Sequence, residues 1–209
     1  MLDLVRAWLF PPACAGCGAR GPALCARCAP TLHDAIDFEV DGVQAFALGG
    51  YEGALRRAIV ALKHGERDPL DVLAELLAAR APVIGTLVPL PTSRGRSDAR
   101  GFDQSVELVR RIARRRSLPH AELLRKRGAP QDGRSRLARL RAAGRFRLER
   151  GVALPRTATL LDDVCTTGAT VRDAMHTLAG AGVAVRRLVF VARTAPDRRD
   201  GPAPMGNQP

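Results

Sequence analysis

The residues with the plainest chemical meaning are two adjacent acids, Asp162 and Asp163, and the turn that follows, Thr166, Thr167, Gly168, Ala169 and Thr170. They lie in the segment T-L-L-D-D-V-C-T-T-G-A-T, residues 159–170. An aliphatic run before the acids predicts a buried strand over Thr157–Leu161, and the apolar spacing of Val171–Ala179 predicts a helix. The turn therefore ends at a helix N-terminus, where free backbone N–H groups and the helix dipole suit a phosphate. Gly168 lets the backbone approach an anion without a Cβ in the way, and the threonine hydroxyls add donors. The two carboxylates would repel a phosphate but accept hydrogen bonds from a vicinal diol. Donors for a phosphate beside acceptors for a diol describe a site for a ribose 5-phosphate. The competing reading is an ordinary strand-to-helix turn with a threonine cap.

A second constellation is C-A-G-C-(x7)-C-A-R-C, which supplies Cys14, Cys17, Cys25 and Cys28. Two C-x-x-C knuckles place four thiolates around a tetrahedral Zn²⁺, and Gly18, Gly21 and Pro22 allow the spacer to reverse tightly. So small a segment cannot bury a core of its own, so a structural zinc would supply its folding energy. Structural disulfides have little use in a cytosolic chain, and a redox dithiol needs one knuckle after a strand rather than two in a Gly/Pro loop. An iron–sulfur cluster uses the same ligands. Cys165 lies inside the threonine turn and reads as filler, and His33, His64, His120 and His176 show no ligand spacing.

The elements that must carry these groups follow in order. Leu32–Gly42 reads as a polar connector and A-F-A-L-G-G-Y-E-G as a strand and turn. Helices are predicted over Ala54–Lys63, with Gly65 as a stop, and over Asp71–Ala81. Thr86–Leu90 is predicted as a strand, followed by the polar loop P-T-S-R-G-R-S-D-A-R-G-F-D-Q and a helix over Gln104–Arg116. Val183–Ala192 supplies the last strand. Repeated strand–loop–helix units imply an α/β fold with a mostly parallel sheet and ligands at the carboxyl ends of its strands. The expected organisation is an N-terminal helix, four-cysteine module and connector over residues 1–42, an α/β domain over 43–193, and a frayed tail over 194–209.

Composition bounds the function. At 209 residues with 46% hydrophobic content the chain can hold one α/β domain of about 150 residues and a small module, which argues against disorder. No run approaches the roughly 18 apolar residues of a membrane span, and the N-terminus is not a secretion signal, so a cytoplasmic protein is expected. The net charge of +12 invites a nucleic-acid partner. Nearly all of it is arginine, with lysine only at Lys63 and Lys126, which a GC-rich coding sequence produces without selection. Arginine clusters at Arg110–Arg116, Arg125–Arg127 and Arg134–Arg147 suit anionic substrates or single-stranded DNA, or form a solvated surface. Aromatic residues at 4% are too few for a base-stacking platform.

Residues 159–170 resemble the phosphoribosyl pyrophosphate (PRPP) signature of type I phosphoribosyltransferases. The order of motifs, a four-cysteine module, L-K-H-G, V-P-L-P…R-G-F-D-Q and L-D-D-V-C-T-T-G-A-T, resembles the ComF (competence protein F) family of bacterial proteins associated with uptake of transforming DNA. That resemblance implies a type I phosphoribosyltransferase-like sheet with helices on both faces. It assigns Asp162 and Asp163 to the ribose hydroxyls and Thr166–Thr170, including Thr167, Gly168 and Ala169, to the 5-phosphate. Arg94, Arg100, Phe102 and Gln104 fall on the pyrophosphate side, and Lys126, Arg127 and Gln131 in a mobile cover. Lys63 is the lysine of the L-K motif or a plain helix C-terminal lysine. The implied ligand is PRPP with Mg²⁺, and the implied partners are single-stranded DNA and other competence proteins. Two functions fit: transfer of the phosphoribosyl group, or a non-catalytic module that senses PRPP or binds DNA and partners. Asp103 stands where the family has Asn, and Arg141 where it usually has Asn, which leaves the acceptor substrate open.

Overall fold

The structure is a computed structural model and describes residues 13–126 and 144–195. A five-stranded sheet runs in the order β1-β2-β7-β6-β3, with β1 Ile36–Val40, β2 Val43–Ala47, β3 Thr86–Pro89, β6 Thr157–Cys165 and β7 Ala184–Arg193. Strands β2, β7, β6 and β3 are parallel, and β1 joins the edge as an antiparallel hairpin with β2. A separate two-stranded ribbon pairs β4 Leu124–Lys126 with β5 Phe146–Leu148. The mostly parallel α/β class expected from the strand–helix repeats is the one observed.

The helices bury one stripe each. Helix α1, Gly53–Lys63, buries Leu55, Ala58, Ile59 and Leu62, the i, i+3, i+4, i+7 pattern of a single apolar face. Helix α2, Pro69–Arg80, opens on proline at a position whose N–H has no intrahelical partner, and buries Leu70, Leu73, Ala74 and Leu77. Helix α4, Gln104–Arg116, buries Leu108, Val109, Ile112 and Ala113. These three cover one side of the sheet with Leu161 and Val189, while α5, Ala169–Ala179, covers the other with Leu160, Leu188 and Phe190. Adjacent residues of β6 and β7 thus feed opposite cores, the alternation of a strand buried on both faces.

Two segments differ from the sequence expectation. Leu32–Gly42, read as a polar connector, holds a short 3₁₀ turn at Leu32–Asp34 and then β1. Its acids Asp37 and Glu39 alternate with Ile36, Phe38 and Val40, so a half-buried edge strand is disguised as a polar stretch. The loop after β3 contains a seven-residue helix α3, Arg94–Arg100, closed by Gly101 in the left-handed region at φ 75°. Among the described residues no helix is long and apolar enough to cross a membrane.

Candidate ligand cleft and metal centre

Strand β6 runs four residues beyond the predicted Leu161 end, so Asp162 and Asp163 belong to the strand rather than to the turn after it. Asp162 sits level with Phe190 of β7. This is the carboxyl end of a central parallel strand, where open α/β sheets bind ligands. Asp163 is 9% exposed. It accepts hydrogen bonds from Gln104 Nε2 and from its neighbour's backbone, Val164 N at 2.8 Å, and lies 3.1 Å from Lys63 Nζ. Asp162 accepts from Ser105 Oγ at 3.1 Å and from Asp163 N at 2.9 Å, both on one oxygen. Protein surrounds Asp162 on most sides while part of its surface opens to the cleft. Burial first, and the neighbouring charge of Asp163 second, push its carboxyl well above the usual range, against the pull of the Asp163 N–H and the Ser105 hydroxyl.

A cleft of about 320 Å³ opens over the acids, and its walls come from helices, strands and loops spread along the chain. Of the residues singled out in the sequence, Asp162, Asp163, Thr166, Thr170, Arg100, Gln104 and Lys126 line it. Lys63 and Tyr51 line it as well, with the ammonium 5.7 Å from the ring centroid. The side chain at the end of α1 therefore points into the cleft instead of merely capping its helix. Tyr51, Thr92 and Ser105 carried no sequence signal for this role, because nothing in their own neighbourhoods marks them. Phe102 does not face the acids. It is buried in the core under the guanidinium of Arg67, 4.6 Å from its centroid, and so anchors the loop after α3. Arg94 starts α3, but its side chain is outside the described atoms, and Arg127, Gln131 and Arg141 lie outside the described residues.

The threonine turn divides between two surfaces. Thr166 and Thr170 face the acid cleft, and a cradle of about 20 Å³ beneath them is lined by Asp162, Thr166, Gly168 and Thr170. Thr167 and Gly168 line a neighbouring depression with Arg172, whose guanidinium donates to the Thr167 carbonyl at 2.7 Å. Gly168 is at φ 74°, and a Cβ there would come within 3.1 Å of Val40 Cγ1, so both conformation and space call for glycine. Ala169 is the first residue of α5, whose N-cap is Gly168, and Ala169 N donates to Thr167 Oγ1 at 3.4 Å. The N–H groups of that first turn suit an anion. Cys165 is buried at the end of β6, and burial pushes its thiol up, which makes it a poor nucleophile and agrees with a packing role.

Beside the acid cleft lies a larger groove of about 890 Å³, between α3, α4 and the β4–β5 ribbon, lined by both signs of charge. Asp103 sits at its edge as the N-cap of α4. Its carboxylate accepts from Ser105 N at 3.1 Å, Val106 N at 3.3 Å and Thr92 N at 2.7 Å. Burial holds its carboxyl above the ordinary value even against those donors. The arginines of α4 are largely engaged. Arg110 pairs with Glu107 and Glu122, Arg111 with Glu107 and Asp71, Arg115 with Asp71, and Arg116 donates to the Ala81 carbonyl. The cluster at Arg134–Arg147 lies mostly outside the described residues.

The four knuckle cysteines converge, with all four sulfurs within 4.8 Å of one another. A Zn–S bond of about 2.3 Å sets a tetrahedral S···S separation of about 3.8 Å. Cys17 Sγ and Cys25 Sγ stand 3.8 Å apart. Cys14 Sγ accepts the N–H groups of Gly16 and Cys25, each at 3.3 Å. Burial opposes the Cys14 thiolate, but backbone N–H groups of Cys25, Cys17 and Gly16 outweigh it and bring the thiol down to about 6. Burial and the other three sulfurs push Cys28 up to about 12. Four thiolates cannot share this space without a cation, and a divalent metal is the cation the donor set fits.

No protein-family model and no curated protein matches the chain. Solved structures similar to it include the orotate phosphoribosyltransferase of Aeropyrum pernix, at 15% identity and a TM-score of 0.42 over 78% of each chain. A second is the glutamine PRPP amidotransferase of B. subtilis complexed with ADP and GMP, at 20% identity and a TM-score of 0.43 over 59% of this chain. A third is described as the allosteric regulatory enzyme of purine biosynthesis, at 19% identity and a TM-score of 0.38 over 71% of this chain. The chain spans only 27% of the length of each of the last two.

Proposed function

We propose that the cleft binds PRPP as its magnesium complex and that the protein is a phosphoribosyltransferase-type protein acting on that ligand. The observation that carries this reading is the meeting of an acid pair and a helix N-terminus with glycine at its N-cap in one cleft, at the carboxyl end of β6. Carboxylates suit the ribose hydroxyls, the Thr166–Thr170 turn suits the 5-phosphate, and Lys63, Arg100 and Lys126 bring positive charge for the pyrophosphate. In transfer, a nitrogen lone pair forms a bond to C1 of the ribose. The C1–O bond breaks with its electrons leaving on pyrophosphate, and the nitrogen loses its proton to solvent. The protein's contribution is position and charge, and the Mg²⁺ that accompanies PRPP would supply further positive charge for the leaving group.

Within this reading the chain is a ComF-type protein with a structural zinc and a place in bacterial DNA uptake, supported by the motif order and by the converging cysteines. Direct single-stranded DNA binding by α4 is the weaker alternative, because its arginines are mostly paired with nearby acids. PRPP with Mg²⁺ should raise the melting temperature, since a ligand at about 100 times its Kd adds about 2.7 kcal/mol to stability. Incubation with PRPP, Mg²⁺ and a panel of nucleobases and amines, with pyrophosphate measured, then separates transfer from binding alone. Absence of any melting shift with PRPP at millimolar concentration would overturn the proposal.

A further inference from the structure

The arginines of α4 are spent on neighbouring acids. Arg193, the last residue of β7, is not, and among the described residues no carboxylate pairs with it. Its guanidinium carbon stands 4.0 Å from the centroid of the Phe38 ring on β1, and Phe38 packs in turn against Phe190, with centroids 5.8 Å apart. Stacking fixes the guanidinium plane and leaves its N–H edge unpaired, the arrangement in which arginine grips an oxyanion with parallel hydrogen bonds. Arg193 lines the depression of about 250 Å³ behind the threonine turn, and Arg172 lines it from the first turn of α5. Arg172 commits Nε to Asp41 at 2.8 Å and Nη1 to the Thr167 carbonyl at 2.7 Å, which leaves Nη2 without an acceptor among the described residues. Burial pushes the Cys165 thiol up, and Arg193 and Arg172 each pull it back, so both cations bear on one point. Glu39, the acid on the same wall, accepts from Gln44 Nε2 at 3.2 Å. Asp41 offsets part of the charge of Arg172, so Arg193 is the principal cation.

We propose that this depression is a second anion site, shaped for a small inorganic oxyanion of the phosphate type, and separate from the acid cleft. Its size agrees, since ordinary small-molecule sites run from roughly 300 to 1,000 Å³. Its wall agrees as well. Phe38 already carries Arg193 on its face and Phe190 beside it, which leaves no platform for a nucleobase. Arg193 needs no rearrangement to bind, because the ring has already removed the freedom that a long side chain would lose. Arg172 ties the site to the cleft without merging the two. It holds the Thr167 carbonyl in the same turn whose Thr166 and Thr170 face the acids.

The site does not depend on what the acid cleft binds, and inorganic phosphate tests it on the intact protein. The probes are the arginine side-chain Nε–H resonances in NMR, assigned with Arg193→Lys and Arg172→Lys. Phosphate should shift the Arg193 and Arg172 signals along one saturable curve, whereas sodium chloride at matched ionic strength should not. Arg193→Gln should weaken phosphate at the Arg172 signal by about 10- to 100-fold, the loss expected when charge-assisted hydrogen bonds are removed. Thr170→Ala, on the cleft side of the turn, should leave the Arg193 response as it is in wild type. ADP should act on the same signals no more tightly than phosphate. A phosphate response at the Thr170 amide with none at Arg193, a response to chloride equal to that for phosphate, or an Arg193→Gln protein with unchanged affinity would each overturn the inference. ADP binding tenfold tighter than phosphate would overturn the choice of an inorganic oxyanion in favour of a nucleotide. None of these results bears on PRPP in the cleft, and a protein that binds no PRPP leaves this site as it stands.

Discussion

Asp162 illustrates how a residue in a cleft can cost stability. Its folded-state pKa is raised by burial first and by Asp163 second, so the folded protein holds a proton that the unfolded chain has released. Below the ordinary carboxylate range both states are protonated and the residue is neutral for stability. As pH rises from there through the raised value, the folded state bears a growing penalty. Asp162→Asn removes that penalty. Thermal melts of the ligand-free protein should therefore show the variant more stable than wild type at pH 8 and nearly equal to it at pH 4, while its PRPP affinity falls by about 10- to 100-fold. A variant less stable than wild type at pH 8 would show that the ionised carboxylate is well compensated. The acids and the threonine turn stood out in the sequence because contiguous residues there match the two halves of the one proposed ligand. Lys63 was ambiguous there, because its meaning comes from Asp163, which lies far from it along the chain.

Among the elements, α4 is positioned by its cap. Asp103 closes the helix N-terminus through Ser105 N and Val106 N, and its second oxygen takes Thr92 N at 2.7 Å from the loop after β3. The same stroke fixes Gln104 and Ser105, the residues that touch Asp163 and Asp162. An asparagine caps helices about as well as aspartate, but here its amide nitrogen would face the Thr92 N–H, donor against donor. Asp103→Asn should therefore cost about 1 to 3 kcal/mol, the penalty for a buried donor left unpaired, measured as a lower urea midpoint at unchanged slope. An unchanged midpoint would mean that the Thr92 loop relaxes freely. A carboxylate at position 103 is thus explained by the cap and the loop contact. Sequence reasoning could place α4 from its apolar stripe but could not see Thr92, 11 residues upstream of Asp103. It missed β1 for a related reason, since the strand's acids face outward and its apolar residues are only three.

At the scale of the molecule, the metal module is not an independent bead. So short a stretch has no core of its own to bury. In the structure it borrows one. Leu24 is 3% exposed and belongs to the same core as α1, α2 and α4, with Ala15, Cys28 and Ala29 packed against it. Gly16 lies so close that a Cβ would sit 2.6 Å from Cys28 Cβ and 2.8 Å from Ala54 Cβ of α1. Arg57 of α1 donates to the carbonyls of Ala15 at 2.9 Å and Gly16 at 2.6 Å, and Arg80 of α2 to that of Pro30 at 2.6 Å. Removing the metal leaves four sulfurs facing one another with no cation, and the loop that carries Leu24 loses its constraint. The core beneath it is then exposed. Losing the Leu24 contact alone should cost about 2 to 5 kcal/mol, the range for a buried leucine truncated to alanine. Chelation, or Cys25→Ser, should accordingly lower the melting temperature of the whole protein in one cooperative calorimetric transition, and Leu24→Ala should do the same with metal still bound. Because α1 also carries Lys63 at its far end, PRPP affinity should fall along with stability. Two resolved transitions, with the main one unmoved by chelator, would show that the module unfolds alone and that α1 does not depend on it.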